Sequence, residues 1–266
     1  MAEAFPNPLD SYARQARLFP GLLTLFPPVL AVLAWFPYLI ISSIGATILT
    51  LATSCGLLYA LASFARTKGK EVERRLLLVW GGWPTTHLLR HSGALDATTR
   101  ARYHAVLIAN VPDLKLPTAA EEAAEPAAAD ALYASAINWL KEHARGRDFP
   151  LVEKENAQYG FRRNLLGLKS LGITINVIVV ILSLVVLLAP TLLVPTTLEA
   201  AVIQASERSA VWAAILVNVL AIAAWLRIVN DAWVREAADQ YASRLLAALE
   251  RLGKPSTTSG RRRAAS

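Results

Sequence analysis

Residues 18–65 read LFPGLLTLFPPVLAVLAWFPYLIISSIGATILTLATSCGLLYALASFA, and no Asp, Glu, Lys or Arg interrupts them. A helix that crosses a bilayer needs about 20 apolar residues at a rise of about 1.5 Å each. The stretch is therefore long enough for two crossings. The break falls at Phe36-Pro37-Tyr38, where proline disfavours further helix and two aromatic rings suit the membrane–water interface. One helix is predicted from Leu18 to Phe36 and a second from Leu39 to Phe64, joined by a tight turn. Pro27-Pro28 lies inside the first, which predicts a kink or a broken segment whose freed carbonyls are satisfied by a neighbouring helix or by water.

Two further runs extend the pattern. Ile173 to Val194 (ITINVIVVILSLVVLLAPTLLV) carries no charge and has Asn176 as its one strongly polar side chain. Its β-branched residues would suit a strand, but its length makes it a spanning helix. Ala210 to Leu226 is shorter, has Asn218 near its middle, and is flanked by Arg208 and Arg227, which can reach the two interfaces. The fold class expected is an all-α polytopic membrane protein, with four transmembrane helices as two hairpins flanking a small helical cytoplasmic domain.

Composition agrees. Of 266 residues, 55% are hydrophobic and 18% charged, with mean hydropathy +0.39. Soluble domains carry about 25% charged residues. Disorder is excluded by the apolar content, and a disulfide framework by the single cysteine, Cys55. Cys55 also lies in an uncharged run with no histidine near it in sequence, where a reactive thiolate is disfavoured. A secretory signal peptide is set aside, because its apolar region spans only about 7–15 residues and ends at a small-residue cleavage site.

Orientation follows from Lys and Arg. Two precede the first run, none lies in its turn, sixteen fall between Arg66 and Lys169, one is Arg208, and eight lie from Arg227 onward. Basic residues favour the cytoplasmic side, which puts both termini and the central region there. Residues 1–17 then form a cytoplasmic N-terminal segment, 18–64 transmembrane hairpin 1, and 65–170 the cytoplasmic helical domain. Residues 171–228 form hairpin 2, 229–254 a cytoplasmic helix, and 255–266 a disordered basic tail ending in Arg261-Arg262-Arg263, with affinity for anionic headgroups.

Within the central domain, Val72 to Trp80 extends the second helix until Gly81-Gly82-Trp83-Pro84 breaks it. Asp96 caps a helix over Ala97 to Asn110. Ala119 to Pro126 (AAEEAAEP) is acidic, of low complexity and expected to be mobile, and a helix follows over Ala127 to Arg145. Asp148 with Pro150 marks a helix start, and the chain from Leu151 to Lys169 should continue as one rod into the third span. Trp233, Ala237, Tyr241, Leu245, Ala248 and Leu252 recur at helical spacing, which predicts a helix packed on the central domain or on a second subunit.

Chemistry-bearing motifs are few. His87 and His91 are four apart on a predicted helix, with His104 a third candidate ligand, but no CxxC, HExxH or carboxylate set accompanies them. No Asp, Glu, Lys or Arg lies within the spans to serve as a proton or ion relay. No catalytic residue, metal or cofactor is expected. Two clusters combine arginine forks with aromatic rings, which suit phosphates and stacked bases. One is Arg90, Arg100, Arg102, Tyr103 and His104; the other is Glu155, Asn156, Tyr159, Arg162 and Arg163. Their alternative roles are ion pairs within the domain, or headgroup contact just before the third span. On the second span, Ser43, Thr47, Thr50 and Ser54 share one face, which could line an oligomeric pore or supply hydrogen bonds between helices.

His91-Ser-Gly-Ala-Leu-Asp96 is similar over six residues to the H-x4-D motif of membrane glycerolipid acyltransferases, where histidine is the base and aspartate orients it. Asp96 as a helix cap is the competing explanation and leaves the chain without an enzymatic role. In layout, membrane hairpins around a basic cytoplasmic domain, the chain resembles the small membrane effectors of bacterial anti-phage nucleotide-signalling systems. That resemblance implies a homo-oligomeric, ligand-gated channel or pore in the bacterial inner membrane, contacting membrane lipids and a small anionic or nucleotide ligand. A non-enzymatic scaffold that recruits a cytoplasmic protein partner is the alternative, and a lipid-modifying enzyme the third reading.

Overall fold

The computed structural model describes residues 11–41, 45–48, 50, 56–146, 148–193, 197 and 208–253. Every regular element among them is helical: α1 (Ser11–Trp35), α2 (Tyr38–Ile41), α3 (Leu57–Trp80), α4 (Pro84–Leu89), α5 (Ala97–Asn110), α6 (Ala119–Ala124), α7 (Pro126–His143), α8 (Pro150–Leu193), α9 (Ser209–Arg227), α10 (Asp231–Ala247) and α11 (Leu249–Leu252). The chain packs as two compact units. One comprises Met1–Arg75 with Ala157–Val234, and the other Leu76–Asn156 with Arg235–Ser266. Helices α3, α8 and α10 contribute residues to both.

The first unit is membrane-like in its distribution of side chains. Three helices are long and apolar enough to span a bilayer: Ser11–Trp35, Pro150–Ala189 and Ser209–Arg227. Their large apolar residues point outward, among them Phe26, Ile181, Leu188, Leu216 and Leu220, which are 52–59% exposed. Small and polar residues point inward: Ala31, Val179 and Ala214 share one cluster, and Asn176, Ser183 and Asn218 are fully buried. This is the order expected when lipid is the solvent and helix contacts rest on small residues and hydrogen bonds. Trp35 Nε1 donates to Ser183 Oγ at 3.2 Å, and Asn218 Nδ2 donates to the carbonyls of Ala214 at 2.8 Å and Pro27 at 3.2 Å.

Where α3 crosses α8, glycine lets backbone meet backbone. A Cβ on Gly167 would lie 2.5 Å from the carbonyl carbon of Lys68, and one on Gly69 would lie 2.9 Å from the Cα of Asn164. Neither position accepts a side chain without moving a helix.

The second unit has the core of a water-soluble helical domain. Leu89, Leu107, Tyr133, Ile137, Leu140, Leu245, Leu246 and Leu249 bury together, so α4, α5, α7 and the end of α10 with α11 close over one another. The helix predicted after Asp231 therefore packs, in this half, on the chain's own domain. Asp96 caps α5 as predicted, its carboxylate accepting from the Thr99 amide at 2.8 Å.

Three of the four expected spans are present as helices long and apolar enough to cross a membrane, and the fourth, Leu39 to Phe64, lies partly outside the described residues. Other expectations need correction. The predicted second span does not run unbroken from Leu39 to Phe64, because Gly56 adopts φ +70° and α3 begins after it. Residues 42–44, 49 and 51–55 of that segment lie outside the described residues. Pro27-Pro28 does not break α1, which continues through both prolines to Trp35. Asn218 of α9 also donates to the Pro27 carbonyl at 3.2 Å.

The AAEEAAEP segment is ordered. Thr118 and Glu121 form a reciprocal capping box at the start of α6, and Glu122 turns inward to the second unit's core. His91 is not on the helix of His87, since α4 ends at Leu89 and Arg90 is extended at ψ 150°. The basic tail lies outside the described residues.

Candidate functional site

The first predicted cluster, in the second unit, is split by its own helix geometry. Arg90 follows α4 and forks onto Asp130 of α7: Nε donates to Oδ1 at 2.7 Å, and the terminal nitrogen closes a short pair with Oδ2. That hydrogen-bonded carboxylate raises the arginine's pKa. Arg100 donates to the Leu95 carbonyl at 3.0 Å, and the exposed Arg102 pairs with Glu250 of α11 at 3.0 Å. Tyr103 turns into the apolar core, where burial raises its hydroxyl pKa. Only Arg90 and the His91–His104 region remain together.

They surround a buried carboxylate that no sequence motif marks. Glu122 is 7% exposed and accepts from the His91 amide at 2.9 Å, the Ser92 amide at 3.4 Å, Ser92 Oγ at 3.3 Å and Tyr133 Oη at 2.8 Å. Burial would raise its pKa; the hydrogen bonds from His91, Tyr133 and Ser92 outweigh that and hold the carboxyl below its ordinary value. His104 packs edge-on to the His91 ring at 5.4 Å, with Nε2 2.9 Å from the Leu89 carbonyl; burial pushes its pKa down, so it is held neutral. A cavity of about 460 Å³ opens beside this network, lined by Arg90, His91, Ser92 and Glu122 among others. The signal that could have found it is Thr118-Ala-Ala-Glu121, a capping-box pattern that orders α6 and so aims Glu122.

The H-x4-D pair does not assemble. His91 Nε2 lies 2.9 Å from the Pro117 carbonyl, while Asp96 is taken up by the α5 cap. His87 Nε2 lies 3.0 Å from the Gly81 carbonyl. Among the described residues, no group of three His, Cys, Asp or Glu side chains could hold a metal ion.

The second predicted cluster, on α8 in the first unit, also divides. Tyr159 and Arg163 are one helical turn apart and share the buried Glu73 of α3: Tyr159 Oη donates to its carboxylate at 3.0 Å, and Arg163 forms a short ion pair with the same oxygen. Lys70 bonds its other oxygen at 2.5 Å. Burial would raise the Glu73 pKa, but Arg163 and Lys70 outweigh it and keep the carboxylate charged. Arg163 also donates to Asn164 Oδ1 at 3.1–3.2 Å, and Asn164 Nδ2 donates to the Ala16 carbonyl at 2.6 Å, so α1 joins the network. Arg162 faces elsewhere, bonding the Trp233 carbonyl at 2.9 Å with its guanidinium 4.9 Å from that ring. Glu155 and Asn156 belong to the other unit.

Of the predicted pore face, Thr47 and Thr50 are exposed, and Thr50 Oγ1 donates to the Ala46 carbonyl at 2.9 Å. Ser43 and Ser54 lie outside the described residues. Thus all five predicted ligand-binding arginines hold a carboxylate or a backbone carbonyl on the protein itself, and Arg163 is buried as well. No protein family, curated protein or solved structure matches the chain, so what it does is read from these side chains alone.

Proposed function

We propose that the protein is a homo-oligomeric channel or pore of a bacterial inner membrane, with both termini cytoplasmic, whose water-soluble helical unit controls conductance through a small anionic, nucleotide-like ligand. The observation that supports this is α8. One helix of 44 residues supplies its first turns to the soluble unit and the remainder to the span-bearing unit, with no break in between. A helix without a hinge carries a tilt or rotation along its length. Arg90 is the cation that a phosphate entering the 460 Å³ cavity would meet, in competition with Asp130. Gating further requires that the ligand bind open and closed forms with different affinity.

The test is ion flux through liposomes containing the purified protein, with and without ATP, cyclic AMP and cyclic di-AMP, alongside the protein's mass in detergent. Flux from an oligomer that one of these nucleotides alters is the expected result. Replacing Lys154 and Glu155 together by glycine should leave insertion and flux intact and abolish the response. A silent monomer overturns the proposal.

A second reading, a scaffold that recruits a cytoplasmic protein, draws on Leu78 and Val79. These apolar residues of the soluble unit are 84% and 73% exposed. Recovery of one protein with the wild type, and its loss with Leu78→Ser and Val79→Ser, would favour that reading over conductance.

A further inference from the structure

Within the span-bearing unit, α8 turns a stripe inward that includes Gly172, Asn176 and Val179, and α9 one that includes Ala214, Asn218 and Trp225. Two contacts fix how the stripes meet. Gly172 lies against the Trp225 ring, where a Cβ would come within 2.5 Å, and Val179 shares a cluster with Ala214 and with Ala31 of α1. The two helices are therefore antiparallel here, and Asn176 and Asn218 are the fully buried residues between the two contacts. Asn176 is three residues from Val179 and Asn218 four from Ala214, about 5 Å and about 6 Å along their axes. The asparagines thus stand at one level on facing helices.

Their amide nitrogens are already used. Asn176 Nδ2 donates to the Gly172 carbonyl at 2.6 Å, and Asn218 Nδ2 donates to the carbonyls of Ala214 and Pro27 at 2.8 and 3.2 Å. Those bonds identify the nitrogen of each amide and leave two oxygens. Neither Oδ1 has a hydrogen-bond partner on the protein. A bare acceptor is costly in an apolar surrounding, and buried polar groups that lack a protein partner are commonly met by ordered water.

We propose that Asn176 and Asn218 bind one water molecule between them, inside the apolar layer of the bundle, with one of its hydrogens on each Oδ1. The chemistry selects the occupant: two neutral acceptors call for a species that donates twice. A metal cation or a protonated amine would satisfy them too, but no Asp or Glu lies on the apolar parts of α1, α8 and α9 to offset its charge. An uncompensated charge there is far more costly than a neutral water. The assignment is independent of whether the protein conducts ions.

The test is water-edited solid-state NMR of the full-length protein, with isotope-labelled asparagine, in bilayers of phosphatidylethanolamine and phosphatidylglycerol. Magnetisation should pass from water to the side-chain amides of Asn176 and Asn218. Asn218→Leu should abolish the transfer to Asn176, whose own bond to Gly172 is untouched, and Asn176→Leu should abolish the transfer to Asn218. Replacing sodium by N-methylglucamine should change nothing. The unaltered protein gives the first answer, so the assignment can fail without either variant folding. Absence of transfer in the unaltered protein would overturn it, as would transfer that survives in either folded variant, the mark of solvent filling the bundle. A sodium-dependent shift of either amide signal would give the site to a cation and overturn it as well.

Discussion

Glu73 in the span-bearing unit and Glu122 in the soluble unit are both withdrawn from solvent, at 5% and 7% exposure, and both remain charged. They are stabilised by different means. Glu73 sits among cations, Arg163 and Lys70, with the Tyr159 hydroxyl, and fastens one helix to another. Glu122 has four neutral donors and fastens a helix to the irregular segment at His91-Ser92. Where all neighbours are helices, backbone amides are already spent on the helix ladder, so only side chains can satisfy a carboxylate. Where a loop passes by, its unpaired amides do so without an opposite charge.

Removing a partner from each network should separate the two designs. The largest effect is expected from Arg163→Met, which leaves the buried Glu73 carboxylate with only Lys70 and the Tyr159 hydroxyl; removing one partner of a buried pair costs about 3–5 kcal/mol, and the remaining lysine puts this case at the lower end. Thermal unfolding in detergent should show the loss, and adding Glu73→Leu should recover most of it, because an apolar pair replaces the ionic one. If the double variant is no better than the single, Glu73 is stabilised by more than its pair.

Glu122→Ala should cost less, about 2 kcal/mol, since it leaves amides and hydroxyls without an acceptor but no naked charge. Proteolysis at the His91-Ser92 segment should rise at the same time. Unchanged cleavage would mean that Glu122 does not hold the segment.

The smallest effect is a pH dependence confined to the soluble unit. His104 is held neutral, its folded pKa below the ordinary 6.5, so the unfolded chain binds a proton first. Its contribution is present above about pH 6.5 and fades as the pH falls through the lowered value. Both glutamates, depressed below 4.5, add a second loss only at lower pH, in both units. The unfolding midpoint should therefore decline modestly between pH 7 and pH 5, and His104→Gln should flatten that step alone.

The contrast also explains what the sequence revealed. Apolar runs located α1, the far part of α8 and α9, because their length and lack of charge are local properties. The Asp96 cap and the rod from Pro150 were legible for the same reason. The binding clusters were not, since arginine at helical spacing does not reveal which acid faces it. Asp130 lies 40 residues from Arg90, and Glu73 lies 90 residues from Arg163. Composition misled at AAEEAAEP, where a capping box and one buried carboxylate outweighed low complexity. Gly56 lies inside the second predicted helix, and its positive φ ends the continuity of that helix, a backbone state that apolar character alone does not signal.

The crossing of Gly69 with Asn164 and Gly167 gives α3 and α8 a fulcrum. Backbones that touch can neither slide past each other nor close further, so the relative motion left to them is rotation about the point of contact. Leu187 lies 20 residues beyond Gly167 on α8, about 30 Å along the helix. A turn of about 5° at the crossing would move it by roughly 2.6 Å on that lever arm. Small rearrangements around the Glu73–Arg163 pair, one turn from the crossing, would thus be read out as large ones at the far end of the span.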